Sequence, residues 1–433
     1  MRYEPIEKDF YIDNRKKLLD KIEPNSVVVI GSNDILSTNA DGTLPFKQNT
    51  SFFYLTGIDQ EESYLILAPN HPDPTLREIL YLRETSKHIA IWEGQKIDKE
   101  LGVHLTGIKN IKWHNQFEVG LINAMKYSEN LYLFKNDHDR LDTPMQAAND
   151  RLIAKCKDLF PLHNFKRLAP ILDDLRTCKR SQEIKTLKRA CKITEKGFRE
   201  ALKVIRPGLK EYELEAVYSY SFLKEGSRGF GYAPIIAGGV KACVLHYLSN
   251  DQTLRDGELL LMDVGAEYGN YNADMTRTIP VNGKFTSRQK AVYNAVLRVK
   301  NEATKMLIPG TSLDSYNTEV GKLMETELID LGLLNKVDIK KQNPKEPLYK
   351  KYFMHNTSHH LGLDVHDVPN RFRKLENGMV LTVEPGIYIW DEGIGVRLED
   401  DILVADDRPI NLMENIPIEA DEIEDLMNTG DLI

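Results

Sequence analysis

The chain carries carboxylates inside apolar stretches that have the pattern of β-hairpin strands. The first stretch, ELLLMDVGAEYGNYNADMTRTIPV, begins at residue 258 and predicts two strands joined by a turn at Gly269-Asn270. In a hairpin with a two-residue loop, opposed residues have numbers of opposite parity, and side chains alternate between faces. Asp263 and Asp274 should therefore share a face. Converging carboxylates repel each other unless a proton or a cation lies between them. The pair predicts a metal site, with two solvated aspartates at strand ends as the alternative.

A second stretch, MVLTVEPGIYIWDEGIGVRLEDDILV, repeats this pattern. Residues 380–383 and 395–404 read as paired strands, and Glu384 and Glu399 again have numbers of opposite parity. Each glutamate interrupts a strongly apolar strand, where an unpaired buried carboxylate is costly. Metal ligation would remove that cost. For Glu399, a salt bridge to Arg397 is the alternative.

Histidines are concentrated between the two stretches. Four of the eleven histidines lie within twelve residues, in the segment YFMHNTSHHLGLDVHD: they are His355, His359, His360 and His366. Imidazole is the commonest neutral metal ligand and titrates near neutral pH. A single histidine is more often structural, but the four together indicate a polar site.

Four carboxylates and at least one histidine suit two divalent cations with carboxylates bridging them. Two metal ions about 3.5–4 Å apart form a recurring device in aminopeptidases and phosphatases. Carboxylate-rich ligation fits Mn²⁺, and an imidazole ligand keeps Zn²⁺, Co²⁺ and Fe²⁺ compatible with the site. The residues themselves therefore predict a dinuclear metallohydrolase.

The rest of the chain predicts an α/β (α+β) fold in two domains, residues 1–172 and 173–433. In the first third, strands are predicted at residues 27–31, 52–55, 63–67 and 79–82, between helix-like segments. A helix is predicted from Ser181, as its N-cap, to Pro207-Gly208, and a second helix covers residues 211–224. From Tyr232 onward, signals of antiparallel strands dominate.

Charge and hydropathy exclude several classes of function. The chain has 57 Lys and Arg against 65 Asp and Glu, a formal net charge of −8. It lacks the basic surplus that is typical of proteins that bind nucleic acids or anionic membranes. Its apolar runs are far shorter than the ~20 residues of a membrane helix. The start of the sequence is charged and lacks the apolar core of a signal peptide, so we expect a cytoplasmic protein.

Together, these motifs resemble the pita-bread metallopeptidase family, and within it the bacterial Xaa-Pro aminopeptidases (aminopeptidase P). The resemblance covers nearly the whole chain. In the second half it includes the segments LRTCKRSQEI, YAPIIAGGVKACVLHYLSND, HNTSHHLGLDVHD, VEPGIY and GVRLEDD. In the first half, FKQNTSFFYLTG and IWEG resemble the N-terminal domain that aminopeptidase P shares with prolidase.

The resemblance implies a fold, an activity and a set of site residues. The fold would be an N-terminal α/β domain with a mixed sheet, of the creatinase/prolidase type, and a pita-bread catalytic domain with a curved antiparallel sheet. The enzyme would release the N-terminal residue from peptides with proline in second position, as a homodimer or homotetramer. The metal ligands would be Asp263, Asp274, His359, Glu384 and Glu399.

Further roles follow from the same resemblance. Asp274 and Glu399 would bridge the two metal ions, and Glu384 would also shuttle a proton. The substrate-contacting and supporting residues would be His246, His355, His366, Arg397 and Tyr388.

Three positions bear on specificity. Asn356 stands where the family usually has glycine, and His360 stands where the bacterial enzymes often have an aromatic residue; neither change removes a ligand. Trp92, in IWEG, resembles a position that in relatives helps close the site of a neighbouring subunit. A core or surface aromatic residue is the alternative for Trp92.

Other functions remain open. Prolidase uses the same metal cage but cuts only dipeptides, and SHHLGLDVHD resembles the aminopeptidase version more closely. Methionine aminopeptidase shares the cage without the additional N-terminal domain. A peptide-binding module without catalysis could also keep this fold, although the complete ligand set argues against it.

Overall fold

The computed structural model describes residues 1–138, 140–141, 143–368 and 372–429. The chain forms two compact units. One is Pro5–Arg176, and the other combines Met1–Glu4 with Thr177–Ile433. Among the described residues, no helix has both the length and the apolar character that crossing a membrane requires.

The unit Pro5–Arg176 is built on a six-stranded mixed sheet. Its strands are β1 (Ser26–Gly31), β2 (Tyr64–Leu67), β3 (Glu78–Leu82), β4 (Ile111–Trp113), β5 (Asn130–Leu133) and β6 (Asn164–Arg167). Their order is β4-β3-β2-β1-β5-β6. β2 runs antiparallel to both β1 and β3, and the other neighbours are parallel. The mixed sheet confirms the α/β fold expected for this part of the chain.

Helices accompany this sheet. They are α1 (Lys8–Leu19), α2 (Thr50–Thr56), α3 (Lys87–Trp92), α4 (Lys99–Thr106), α5 (Phe117–Met125), α6 (Ala148–Leu159) and α7 (Ala169–Thr177). The continuous apolar run of β1 is buried along its whole length, as expected for a central strand covered on both faces. Trp92, at the end of α3, is 75% exposed.

The strand predicted at residues 52–55 is wrong, because these residues lie in α2. The Asn49 side chain accepts a hydrogen bond from the Phe52 N–H (2.9 Å) and caps the helix. Gly57, at φ 69°, ends it. Since residues 51–56 of α2 are all buried, the helix has no polar face that would reveal a helical period.

The described residues of the second unit form ten short strands. They are β7 (Ile235–Gly238), β8 (Leu259–Asp263), β9 (Glu267–Tyr268), β10 (Tyr271–Asn272), β11 (Thr276–Pro280), β12 (Val380–Val383), β13 (Gly386–Ile389), β14 (Ile394–Arg397), β15 (Asp400–Leu403) and β16 (Ile410–Asn411). All strand pairings described in this unit are antiparallel. Its helices are α8 (Ser181–Leu202), α9 (Glu211–Lys224), α10 (Ser287–Lys305), α11 (Leu313–Asp330), α12 (Lys336–Lys341) and α13 (Ala420–Thr429).

The helices correct several predictions. Arg180, and not Ser181, is the N-cap of α8, and its N–H donates to the Glu183 side chain (2.9 Å). α8 ends at Leu202, before Pro207-Gly208. α9 has the predicted bounds. The prediction of strands from Tyr232 onward is wrong for α10 to α12, whose amphipathic patterns lie between the two carboxylate-bearing stretches.

The first stretch forms a long hairpin with an interruption, which we call the Asp hairpin (residues 259–280). Tyr268 opposes Tyr271 near the turn, and Asp263 opposes Thr276 farther along. The same register holds on both sides of the interruption, so the parity predicted from the turn length is confirmed. At the interruption, a Cβ on Gly265 would lie 1.8 Å from the Ala273 carbonyl oxygen, so the two arms approach too closely for any other residue there.

The second stretch forms the Glu hairpin (residues 380–403), which has the same plan. Val383 opposes Asp400, and Gly386 opposes Arg397. This continuous register places Glu384 opposite Glu399, in the interruption between the two ladders. The strand predicted at residues 395–404 is therefore divided into β14 and β15. In both hairpins, carboxylates lie where the regular ladder stops.

Candidate metal centre

The two hairpins and the histidine-rich segment bring three possible metal ligands together. Ligand atoms of Asp274, His359 and Glu399 all lie within 4.8 Å of one another. Asp274 and Glu399 are buried, and His359 is partly buried. Nε2 of His359 lies 3.4 Å from Oδ2 of Asp274. One carboxylate from each hairpin and one imidazole therefore face a common point.

Glu384 lies beside this group. Its Oε1 is 3.7 Å from Nε2 of His359, and its Oε2 is 3.9 Å from Nδ1 of His355. Nδ1 of His359 is 3.0 Å from the carbonyl oxygen of His360. A proton on Nδ1 would be donated to this carbonyl, which leaves the Nε2 lone pair available as a ligand.

Asp263 is held by protein donors. Its two oxygens accept hydrogen bonds from the Arg397 guanidinium and the Tyr232 hydroxyl, both at 2.6 Å. Arg397 thus pairs with Asp263 and makes no salt bridge to Glu399, which was the alternative for that residue. Glu399 accepts a hydrogen bond from Oγ1 of Thr276 (2.6 Å), and Nε of Arg397 also donates to this hydroxyl (3.1 Å).

The carboxylates of the site carry more negative charge than the surrounding side chains neutralise. Burial raises the pKa of Glu399 well above its usual range, and the negative charges of Asp274, Glu384 and Asp263 raise it further. Burial also raises the pKa of Asp263, and it raises the pKa of Glu384 to about 7. A donor set of carboxylates and imidazole fits divalent cations, which would favour the ionised carboxylates.

A chain of hydrogen bonds connects Arg397 to His355. The Arg397 guanidinium donates to the Tyr388 hydroxyl (3.0 Å), which lies 2.8 Å from Nε2 of His355. On the far side of the ring, Nδ1 lies 2.8 Å from the Asn356 carbonyl oxygen. Burial and the positive charge of Arg397 lower the pKa of His355 to about 4. At neutral pH, Nε2 is therefore an acceptor for the phenol proton.

The other predicted histidines lie around this core. The exposed His246 is close enough for its charge to lower the pKa of His355. The exposed His366 packs edge-on against the His359 ring, with 4.4 Å between centroids and 87° between planes. His360 is buried, and burial together with the charge of Lys179 lowers its pKa to about 3.

Sequence reasoning missed three residues of the site. Tyr232 donates to Asp263, Thr276 connects Glu399 to Arg397, and the buried Asp401 accepts a hydrogen bond from the N–H of Asp274 (3.2 Å). Thr276 could have been found, because the hairpin register places it opposite Asp263. Tyr232 lies outside both hairpins, and its signal was the segment YAPIIAGGVKACVLHYLSND, which begins with this residue.

Comparisons with known proteins identify the family of the chain. Residues 185–406 match the sequence profile of metallopeptidase family M24, and residues 11–133 match that of the aminopeptidase P N-terminal domain. The Xaa-Pro aminopeptidase of Haemophilus influenzae is 33% identical over 98% of this chain and 98% of its own length.

Two solved structures extend the similarity to the fold. Pseudomonas aeruginosa aminopeptidase PepP has a TM-score of 0.90 at 31% identity, over 98% of this chain and 99% of its own. Zn-substituted Escherichia coli aminopeptidase P in complex with product has a TM-score of 0.88 at 31% identity, over 99% of both chains. The expected pita-bread fold, preceded by an aminopeptidase P N-terminal domain, is confirmed. The chain belongs to metallopeptidase family M24.

Proposed function

We propose that the chain is a Xaa-Pro aminopeptidase, which releases the N-terminal residue from peptides with proline in second position. The observation that carries the proposal is the convergence of Asp274, His359 and Glu399 on one point. The similarity to Xaa-Pro aminopeptidases over nearly the full chain supports it.

We further propose that the site holds two divalent cations, with Mn²⁺ as the native metal. Asp263, Asp274, His359, Glu384 and Glu399 would hold them. The carboxylate-rich donor set favours Mn²⁺, while the imidazole keeps Zn²⁺, Co²⁺ and Fe²⁺ compatible. When bound, two such cations supply Lewis-acid activation of water and of the scissile carbonyl.

The protein side chains would handle protons and orientation. Glu384 would accept a proton at a carboxylate oxygen and donate it to the leaving proline nitrogen. Arg397 and Tyr232 orient Asp263 through their 2.6 Å hydrogen bonds. Arg397 also orients Tyr388, whose hydroxyl contacts His355.

Three histidines would contact the peptide. His355 stays neutral because its pKa is lowered to about 4, so its ring can exchange hydrogen bonds with the substrate without adding charge. His246 and His366 are exposed, and His366 packs against the ring of His359. They would hold the scissile carbonyl or assist proton transfer.

Prolidase is the second candidate, because it uses the same metal cage. A substrate-length assay separates the two functions. With Mn²⁺ supplied, we expect release of the first residue from an Xaa-Pro-Yaa tripeptide. Cleavage of Xaa-Pro dipeptides alone would favour prolidase, and metal binding without turnover would favour a peptide-binding module.

A matched pair of variants tests the role of Glu384. Glu384→Ala should abolish turnover of the tripeptide. Glu392→Ala is the control, because Glu392 is a glutamate of the same hairpin that pairs with Arg288 at the surface (2.7 Å). Equal losses in the two variants would contradict the assignment of Glu384.

The remaining assignments stay predictions. We propose domains at residues 1–172 and 173–433, a homodimer or homotetramer, and a cytoplasmic location. The proposed partners are peptides, with no nucleic acid or membrane involved. Size-exclusion chromatography with light scattering would test the oligomeric state.

A further inference from the structure

Residues 359–367 form a tight turn beside the metal centre, which we call the histidine loop. The N–H of Asp367 donates to the His360 carbonyl (2.9 Å) and closes the turn. The Thr382 N–H donates to the His359 carbonyl (3.0 Å), which ties the loop to β12. The closed turn brings the rings of His359 and His366 to a centroid distance of 4.4 Å.

The Asp hairpin holds the opposite edge of the histidine loop. The N–H of Asn272 donates to the Gly362 carbonyl (3.0 Å), and its side-chain amide donates to the Leu363 carbonyl (2.9 Å). The position of the loop is therefore linked to β10, two residues before Asp274.

A fully buried ion pair lies at the base of the loop. Nζ of Lys179 is 2.9 Å from Oδ2 of Asp367, and these side chains are 1% and 0% exposed. Nζ also donates to the Thr177 carbonyl (3.3 Å). A Cβ on Gly362 would lie 2.3 Å from Oδ2 of Asp367 and 2.9 Å from Cε of Lys179. The loop backbone thus packs directly on the ion pair, and only glycine leaves room for it.

A third contact completes a ring of contacts around the loop. Glu183, in the first turn of α8, accepts hydrogen bonds from the Arg180 N–H (2.9 Å) and the Tyr271 hydroxyl (3.0 Å). The start of α8 holds the Asp hairpin through Tyr271, and the hairpin holds the histidine loop through Asn272. The Lys179–Asp367 pair connects the loop back to the start of α8.

This ion pair contributes more to the relative position of two segments than to the free energy of unfolding. Two charges removed from water lose hydration free energy that their attraction barely offsets, and apolar residues of similar volume often stabilise a protein equally well. The pair does, however, fix the distance and direction between two segments. Asp367 directly follows His366, so this constraint acts on the residue that packs over His359.

We propose that Lys179 and Asp367 are positioning residues that hold the histidine loop so that His366 lies over His359. Neither residue is expected to touch the substrate, and each acts through His366. This inference rests on the proposed aminopeptidase function, because it assigns His366 a part in turnover.

The first test replaces the pair with apolar residues. The double variant Lys179→Met/Asp367→Leu should unfold at a urea concentration close to that of the wild type, because both charges of the buried pair are removed together. Its kcat on the tripeptide should fall about 100-fold, as expected for a misplaced catalytic side chain, while KM changes less. The control is Arg298→Met/Glu327→Leu, which removes a partly exposed ion pair between α10 and α11 and should keep the wild-type kcat. A wild-type kcat in the first variant would overturn the proposal.

A double-mutant cycle tests whether the pair acts through His366. In a His366→Ala background, removing the pair should change kcat by less than ~2-fold, since coupled residues are not additive. A repeated ~100-fold loss in that background would contradict the proposal.

A third test does not depend on activity. In metal-free protein labelled with ¹³C-histidine, the signals of His359 and His366, assigned with His→Gln variants, should shift in Lys179→Met/Asp367→Leu and stay in place in the control. Unchanged signals would overturn the positioning role. A wild-type chain without tripeptide cleavage would refute the proposed function, and these spectra would still decide whether the ion pair positions the loop.

Discussion

Glu399 and Asp400 are neighbours in the chain, and both are nearly fully buried, with exposed fractions of 2% and 1%. Their electrostatic surroundings are opposite. Asp400 pairs with Arg277 (2.6 Å) and Lys300, and these positive charges lower its pKa. Burial and the facing carboxylates instead raise the pKa of Glu399. Burial is equal, so the nearby charges make the difference.

The two groups of charges differ in whether the chain itself supplies the counter-charges. The Asp400 cluster (Asp400, Arg277 and Lys300) contains its own counter-charges, so the chain neutralises it on folding. The metal centre gathers carboxylates from both hairpins and leaves their charge to be neutralised by cations from solution. Removing a carboxylate should therefore have opposite consequences in the two places.

The largest effect is expected for Glu399→Gln. We predict a loss of kcat/KM of about 10³-fold or more, equivalent to about 4 kcal/mol, because the site loses one of its proposed metal ligands. The metal-free variant should be at least as stable as the wild type, since a repelling charge is removed. Steady-state kinetics and urea unfolding check both statements. A Glu399→Gln variant that loses stability and keeps its activity would contradict this prediction.

Asp400→Asn should do the opposite and destabilise the fold. It leaves two buried cations without their carboxylate, which costs about 3–5 kcal/mol in free energy of unfolding. The matched control is Glu319→Gln, which breaks the exposed pair with Lys322 and should cost less than about 1 kcal/mol. Equal urea midpoints for the two variants would show that Asp400 is not needed to neutralise the buried Arg277 and Lys300.

The stability of the metal-free chain should also depend on pH through Glu384. Its pKa rises from the usual 4.5 to about 7 on folding, so between these values the folded chain binds more protons than the unfolded chain. The free energy of unfolding should therefore fall as pH rises from 4.5 to 7, by about 3 kcal/mol for this group. Urea unfolding of wild type and Glu384→Gln measures the difference. Parallel pH profiles would argue against a raised pKa.

Metal addition gives the smallest of the predicted effects. At a free Mn²⁺ concentration 100 times its Kd, one site should stabilise the fold by about 2.7 kcal/mol. Thermal unfolding with and without Mn²⁺ should show this gain in the wild type and in Asp400→Asn, and Glu399→Gln should lose it. A gain that survives in Glu399→Gln would place the metal elsewhere.

The sequence was most informative where geometry is local. The shared face of Asp263 and Asp274, and the opposition of Glu384 and Glu399, depend only on turn length and strand alternation. The observed registers agree with both. The buried residues of α2 misled the prediction, since an aromatic run without a polar face is equally compatible with a strand.

Contacts between distant segments could not be predicted. Arg397 is two residues from Glu399, yet it pairs with Asp263, which is 134 residues away. The reason is that the two hairpins meet: the N–H of Glu399 donates to the Thr276 carbonyl (3.0 Å). This packing decides which carboxylate receives the guanidinium.

The unbroken register of the two hairpins has a consequence for how such a chain can evolve. Insertion of one residue between Asp263 and the turn would keep every side chain of the hairpin. It would, however, shift the register by one residue, so that the side chains of one strand exchange faces relative to the other strand. Asp274 would then be replaced on the ligand face by Ala273 or Met275. Selection must therefore preserve the number of residues between the carboxylates as strictly as the carboxylates themselves, and insertions or deletions of a single residue should be excluded within the two hairpins.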